Sequence, residues 1–322
     1  MADILILGGS GFVGASLCER LVERGRGGGR ITVPSRHASR AAHIRPLPTV
    51  EVVDADLHDD AQLARLVRGC DAVVNLVAQL HGSEAAFRHL HVELPRRLAQ
   101  ACREAGVRRI VHVSALGASA SAPSRYLRSK AAGEAALQGA GIDLTVLRPS
   151  VIYGERDRFL NLFARLQAVF PIVPLAGAQA HFQPVWVEDV ASAVVRCLDD
   201  PTAIDPTTIG QTIECAGPRE LTLRELVERA GRWSGHPRPI FGLPAPLATL
   251  QALLLEALPG EPLMSRDNLA SMRVANVAGG TLPGLARLGI VAAEIDAVAP
   301  TWLDPRRGIA RLETWRARAR RM

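Results

Sequence analysis

Two residues in the middle of the chain have the types and spacing to move a proton. Tyr126 and Lys130, in Ser124-Arg125-Tyr126-Leu127-Arg128-Ser129-Lys130, stand four apart and so share one face of a helix. A free tyrosine titrates near about 10, too high for easy proton exchange at neutrality. An ammonium beside it favours the phenolate and is expected to lower that value. Composition sharpens the pair: Lys130 is the only lysine among 38 basic residues, and Tyr126 is one of only 2 tyrosines. Arginine would keep the charge but not the compact ammonium. Ser114, directly after the apolar run Arg109–Val113, is the candidate to hydrogen-bond a substrate oxygen.

A second motif indicates what such a pair would work on. Gly8-Gly9-Ser10-Gly11-Phe12-Val13-Gly14 follows the apolar run Ile4–Leu7 and opens a helical pattern, with glycines at 8, 11 and 14. Small residues here let the chain turn sharply, approach a pyrophosphate with its backbone and pack the helix on the sheet. The helix start then offers free N–H groups and a partial positive charge to the phosphates. Gly8, Ser10, Gly11, Phe12, Val13 and Gly14 are therefore expected to bind a dinucleotide, and Lys130 to hold its ribose.

The end of the second strand reports on the adenosine ribose. An acid there would bind the free 2′-hydroxyl of NAD and repel a 2′-phosphate. The chain offers Pro34-Ser35-Arg36 instead, with Arg40 beyond. Ser35 and Arg36 suit charge-assisted bonds to a 2′-phosphate, so NADP(H) is the expected cofactor and NAD(H) the alternative. Asp56 and Leu57, after the third strand, are placed to reach the adenine. Leu76, Val77 and Ala78, after the fourth, are placed along the nicotinamide-side ribose.

The elements that must position these residues alternate along the first half. Apolar runs at Ile4–Leu7, Arg30–Val33, Val50–Val53, Ala72–Leu76, Arg109–Val113 and Leu144–Leu147 are separated by helical patterns at 12–23, 61–67, 84–105 and 124–138. This predicts an α/β fold, a Rossmann doubly wound parallel sheet, with a smaller C-terminal substrate lobe. The expected division is residues 1–150 for the NADP(H)-binding domain and 151–322 for the lobe, with interleaved return strands and a basic C-terminal helix. Tyr153–Pro184 reads as loop and aromatic residues, Trp186–Leu198 as a helix and Thr212–Cys215 as a strand. Leu221–Trp233 reads as an amphipathic helix capped by Thr222 and Glu225.

Composition excludes several classes. The five cysteines are scattered singly, which predicts reduced thiols in a cytoplasmic setting. His81, His89 and His91 lie close together, but no carboxylate or thiol completes a metal set, so no metal is expected. The formal charge of +6 is carried entirely by the segment 306–322, where seven arginines face one acid, Glu313. The body is formally neutral, so nucleic acid is not an expected partner. Ile309, Leu312 and Trp315 among those arginines suggest an amphipathic basic helix able to meet anionic lipid or an acidic partner. Leu247–Leu258 is an apolar helix too short to span a bilayer.

Together these residues resemble an extended, atypical short-chain dehydrogenase/reductase, from Asp3 to about Cys215. More narrowly, the chain is similar to the branch containing the short-chain-dehydrogenase-like accessory subunit of respiratory complex I and its bacterial relatives. The resemblance is carried by His112 to Ala118, Tyr126 to Glu134, Leu147 to Gly154 and Gln183 to Ala191, with a fainter echo at Met264 to Asn268. It implies a Rossmann fold binding NADP(H), with Pro149 to Val151 closing over the nicotinamide. It also implies that Ser114 stands one residue early, with Ala115 where the family's hydroxyl is usually supplied. Three functions follow: an oxidoreductase acting on a quinone or small carbonyl, a non-catalytic NADPH-binding structural or assembly protein of a respiratory or quinone-related complex, and, more weakly, a nucleotide-sugar epimerase or dehydratase. The expected location is cytoplasmic or peripheral to the inner membrane, with contact made through the C-terminal region.

Overall fold

Apolar runs enclosed on both faces build the centre of the fold. The computed structural model describes residues 2–25, 28–199, 208–260 and 262–306, and the tail reading at Ile309, Leu312 and Trp315 lies outside them. Seven strands are involved: β1 (Ile4–Leu7), β2 (Ile31–Ser35), β3 (Val50–Asp54), β4 (Ala72–Asn75), β5 (Arg109–Val113), β6 (Asp143–Pro149) and β7 (Thr212–Cys215). They form one sheet in the order β7-β6-β5-β4-β1-β2-β3, and every pairing is parallel. All residues of β1 and β4 are buried, as strands covered on both sides require. The strand order reverses between β1 and β4, so the crevice of a doubly wound sheet opens at the C-terminal ends of those two strands.

Helices cover this sheet: α1 (Phe12–Gly25), α2 (Asp60–Val67), α3 (Glu84–Arg88), α4 (Leu94–Ala105), α5 (Arg125–Gln138) and α6 (Val187–Asp199). Leu63 and Val67 of α2, Leu98 and Cys102 of α4 and Leu137 of α5 pack into one core with Leu5, Leu7, Val73, Ile110 and Leu144 of the strands. Helices α1 and α6 pack together, joined by Arg20 and Glu188 at 2.8 Å. Local capping supports the ends: the Asp59 carboxylate accepts the Ala61 and Gln62 N–H groups, and Ser124 accepts that of Leu127.

The pattern predicting one helix over 84–105 is corrected by a π-turn at His89–Glu93 between α3 and α4. The physical reason is Pro95, which has no N–H to give the carbonyl four residues back, that of His91. The freed carbonyl presses on α5 at Gly133, where an added Cβ would lie 2.0 Å from it.

The described chain divides into two units. The first comprises Met1–Pro149, Val187–Cys215 and Ala278–Val291, and carries the sheet; the second comprises Ser150–Trp186, Ala216–Val277 and Ala292–Met322. In the second, the segment read as loop holds the helix Leu160–Val169, whose Leu160 and Phe163 share a core with Leu223, Leu226 and Val227 of the helix Leu223–Ser234. That second helix has the predicted reciprocal cap between Thr222 and Glu225. Its strands are short pairs: Val173–Leu175 with Ile240–Gly242, Ile152–Tyr153 with Val185–Trp186, and His181–Phe182 with Leu221–Thr222. No helix among the described residues is long and apolar enough to cross a membrane.

Candidate functional site

The glycine turn sits where the sheet reverses. Gly8 has φ +82°, and a Cβ there would meet the Leu76 carbonyl carbon at 3.1 Å and the Val77 nitrogen at 3.2 Å. The turn after β1 is thus packed against the segment after β4, bringing Gly8 and Leu76–Val77 together. Gly14 admits no side chain either: its Cβ would lie 2.5 Å from the Gly8 carbonyl oxygen and from Gly9 Cα. Gly11 gives its carbonyl to the Ala15 N–H at 2.9 Å, so the N–H groups of Phe12, Val13 and Gly14 form the open first turn of α1. No acid lies in that turn. A backbone cradle with a positive helix end fits a pyrophosphate.

Ser35 closes β2 and Arg36 is exposed beyond it, while the Arg40 side chain lies outside the described residues. Ser35 Oγ donates to the His37 carbonyl at 3.0 Å. The register sets Ser35 beside Asp54 of β3, so tertiary pairing supplies a carboxylate that the sequence around Arg36 lacks. Asp56 is exposed and accepts the His58 N–H at 3.0 Å, whereas Leu57 leans on the core of α2 and α4. Arg36 and Asp56 both act on the His58 ring, behind the larger effect of its burial, which lowers its pKa.

Tyr126 and Lys130 lie in the same unit. Lys130 is 1% exposed and its Nζ donates to the Val113 carbonyl at 2.8 Å. Burial draws its pKa down to about 8, against the opposing pull of Glu134. Glu134 is itself held by Arg148, with Nη2 to Oε2 at 2.5 Å. The expectation that Lys130 would lower the Tyr126 pKa is corrected: burial pushes the phenol up to about 12. The cause is desolvation of the phenolate, and the Lys130 ammonium is engaged with a backbone carbonyl.

Three buried polar groups that the motif reading did not assign surround this pair. Asn75 ends β4 where the predicted strand ran on to Leu76; its Oδ1 accepts the Val77 N–H at 3.1 Å and its Nδ2 donates to His112 Nδ1 at 3.2 Å. That leaves the proton of His112 on Nε2, which is buried and has no partner among the described residues. His91 accepts the Gln79 N–H on Nε2 at 3.0 Å, so its Nδ1 carries the proton and donates to Ser129 Oγ at 2.8 Å. Ser129 passes a hydrogen bond to the Tyr126 carbonyl at 2.7 Å, and the His91 ring meets the Tyr126 ring edge-on at 5.7 Å. Burial, then the charge of Lys130, lowers the His91 pKa to about 3 and that of His112 well below the ordinary value. Both rings are neutral. The legible signal was a polar residue inside an apolar central strand, Asn75 in Ala-Val-Val-Asn and His112 in Ile-Val-His-Val. His91 carried no such mark, and the sequence grouped it with His89, which instead pairs with Glu93 at 2.9 Å.

Ser114 is 4% exposed and its Oγ has no partner among the described residues. Its N–H donates to the Leu147 carbonyl at 2.7 Å, which fixes it at the end of β5 beside β6. Ala115, next along, is buried and its side chain has no polar atom. A glycine cradle at the switch point, an ammonium and two orphaned polar atoms in one unit fit a dinucleotide with a polar reactive end. Pro149 is the last residue of β6; Val151 lies in the second unit, where its N–H donates to Asn276 Oδ1 at 2.8 Å.

Comparison with known proteins agrees with this geometry. The sequence profile described as "NAD dependent epimerase/dehydratase family" matches residues 4–210. The mouse (Mus musculus) protein NADH dehydrogenase (ubiquinone) 1 alpha subcomplex subunit 9, mitochondrial, is 32% identical over 292 residues, covering 88% of this chain and 75% of its own. Its Arabidopsis thaliana counterpart is 33% identical over 230 residues, 69% of this chain and 56% of its own. Among solved structures, the Thermus thermophilus UDP-glucose 4-epimerase, in complex with NAD, superposes with a TM-score of 0.62 at 21% identity, covering 85% of this chain and 99% of that one, which speaks for the fold alone. The glycine turn lies inside the matched region, and the likeness runs on past it through most of the chain: this protein belongs to the NAD dependent epimerase/dehydratase family.

Proposed function

We propose that this protein is an NADP(H)-binding accessory or assembly protein of a respiratory or quinone-linked complex, in which the dinucleotide site serves the fold and its contacts more than turnover. The observation that carries this reading is at Ser114-Ala115. The Ser114 hydroxyl has no partner among the described residues, and Ala115, where the family resemblance expects a hydroxyl for the substrate, is buried and apolar. A Tyr126 phenol held near about 12 is in keeping with a site not tuned for rapid proton exchange. Likeness to the NADH dehydrogenase subunits over most of this chain supports the respiratory setting.

In this reading Gly8, Ser10, Gly11, Phe12, Val13 and Gly14 hold the pyrophosphate. Ser35 and Arg36 hold the 2′-phosphate, Asp56 the adenine amine, and Leu76 to Ala78 with Lys130 the nicotinamide ribose. A bound nicotinamide would supply hydride chemistry. The second reading, an oxidoreductase, is favoured by the Tyr126–Lys130 pair. In it, Tyr126 delivers the proton from its phenol, Lys130 orients the ribose and Ser114 Oγ takes the substrate oxygen.

Fluorescence titration with NADPH and NADH tests the cofactor, followed by a turnover assay against quinones and small carbonyls. NADPH-selective binding without turnover supports the first reading. Substrate-dependent NADPH oxidation replaces it with the second, and no binding of either nucleotide defeats both. Arg36→Glu is expected to lower NADPH affinity about tenfold or more while sparing NADH, since it removes a charge-assisted bond and adds repulsion. Unchanged NADPH affinity in this variant would end the case for a 2′-phosphate.

A further inference from the structure

The second unit carries its apolar residues on the outside. The helix Ala245–Glu256 buries only Ala248 and Ala252, four residues apart on one face. Its large side chains point the other way: Leu247, Leu250 and Leu254 are 50%, 51% and 63% exposed. A helix resting on a protein body normally buries its leucines and exposes its small or polar residues, so this arrangement is reversed.

The apolar face extends past the helix. Phe241 lies on the strand Ile240–Gly242, paired with Pro174 of Val173–Leu175, and Ile172 and Phe170 directly precede that partner strand. All three are more than half exposed. The Gln251 side-chain amide donates to the Pro174 carbonyl at 3.1 Å, which joins the helix to the strand pair. Among the described residues, every exposed large apolar side chain except Leu80 and Val291 belongs to the second unit. Isolated exposed leucines are ordinary; a continuous set on adjoining elements marks an interaction surface.

Charge around this face is basic, apart from Glu256 at the end of the helix. Arg165, Arg238 and Arg273 are exposed near it, and Arg266 is matched by Glu256 at 2.8 Å. No acid occurs between Arg165 and Leu175, or between Arg238 and Gln251. Seven further arginines lie between 306 and 321 in the sequence. Interfaces between proteins concentrate their energy in Trp, Tyr and Arg, with Leu under-represented. Leucine and phenylalanine rimmed by arginine is the composition of elements that lie in the headgroup boundary of an anionic bilayer. At 12 residues the helix is about 18 Å long, suited to lying in that boundary and too short to cross a hydrocarbon core of about 30 Å.

We propose that this face of the second unit docks on an anionic phospholipid bilayer, its leucines and phenylalanines entering the headgroup boundary while Arg165, Arg238 and Arg273 meet lipid phosphates. The proposal stands apart from the dinucleotide reading, because none of these residues belongs to the first unit. It assigns the membrane contact to a folded face, with the basic tail adding attraction.

The test is co-sedimentation of the full chain with vesicles of phosphatidylcholine alone and of phosphatidylcholine mixed with phosphatidylglycerol. The wild type is expected to bind the mixed vesicles about tenfold or more tightly than the neutral ones, and less tightly as salt rises. Leu250→Glu/Leu254→Glu should weaken binding to the mixed vesicles about tenfold or more, with an unchanged melting temperature and unchanged nucleotide titration. Leu250→Ser/Leu254→Ser serves the same purpose if the charged pair misfolds. Three results overturn the proposal: no sedimentation of the wild type with mixed vesicles, equal binding by the leucine variants, or a wild-type dimer that the variants dissociate while vesicles bind neither form. Binding lost on deletion of 307–322 but kept in the leucine variants also overturns it, by assigning the contact to the tail alone.

Discussion

In the first unit the leucines of β1 are fully enclosed and a lysine, two histidines and a glutamate are buried beside the sheet; in the second, a leucine-rich helix keeps two alanines inside and its leucines outside. The first unit encloses polar groups on β5, on α5 and in the π-turn, and each demands a partner or a ligand. The second packs an apolar core around Tyr153, Phe163 and Leu226, in which buried Gln167 is satisfied by the Phe163 and Val227 carbonyls, and leaves further apolar area uncovered. Its two histidines with described surroundings, His181 and His236, are exposed and carry no counterpart of the buried rings of the first unit. Buried basic side chains, Lys130, His91 and His112, occur in the first unit, where the dinucleotide site is proposed, whereas the ionisable groups buried in the second are the acids Asp157 and Asp267. Exposed leucine in the second carries the proposed docking face.

This contrast can be broken first by a core truncation. Leu98 is wholly buried under the sheet, and Leu98→Ala is expected to cost about 4 kcal/mol, through lost transfer energy and the cavity left behind. Urea unfolding measures it; a cost below about 1 kcal/mol would mean that the first unit is loosely packed.

Acid should weaken the first unit next. The His91 pKa falls from an ordinary 6.5 to about 3 on folding, so between those values the unfolded chain binds more protons. Stability therefore drops as pH falls through that window, by on the order of 3 kcal/mol between pH 7 and 4 from this residue. The slope should flatten in His91→Phe, whatever that variant's stability at pH 7. An unchanged slope would show that His91 is hydrated and protonated in the folded state.

Alkali works in the opposite direction. The Lys130 pKa falls from 10.5 to about 8 on folding, so above pH 8 the unfolded chain again binds more protons, and stability rises with pH. The gain between pH 8 and 10 is on the order of 2 kcal/mol and should vanish in Lys130→Met. Above pH 10 the Tyr126 phenol, raised to about 12, acts the other way, because the unfolded chain loses that proton first. A Lys130→Met curve parallel to the wild type would remove the buried ammonium from the account.

The smallest effect sharpens the contrast most. Leu254 is 63% exposed, and Leu254→Ala is expected to change stability by no more than about 0.5 kcal/mol. A loss of about 2 kcal/mol, with a concentration-dependent midpoint, would show that a second copy of the chain buries this face.

The parts of the fold that were legible came from local rules. Apolar runs of strand length predicted the parallel strands, with ends shifted by up to two residues, because continuous burial leaves a continuous imprint. The glycine turn and the Thr222–Glu225 cap were readable because each is satisfied within a few residues of itself. Tyr126 and Lys130 stood out through scarcity and spacing. The helix Leu160–Val169 was missed inside a segment rich in aromatics and loop residues, since its apolar positions are explained only by the Leu223–Ser234 helix they pack against. The π-turn escaped for a related reason. Pro95 announced a missing hydrogen bond, but where the orphaned His91 carbonyl would go depended on Gly133, far along the chain.

The amino-acid sequence by itself determined the strand–turn–helix that can cradle a pyrophosphate, the single ammonium four residues from a tyrosine, and the class of fold that holds them. These depend on period, turn sterics and charge, which act over short chain distances. Only the tertiary structure decided that the Tyr126 phenol is raised rather than lowered, that His91 and His112 are neutral with assigned tautomers, that Asp54 stands beside Ser35, and that the leucines of Ala245–Glu256 face outward. Each of these is set by which groups are denied water and which neighbours replace it. That is a property of packing between distant segments, and no window along the chain contains it.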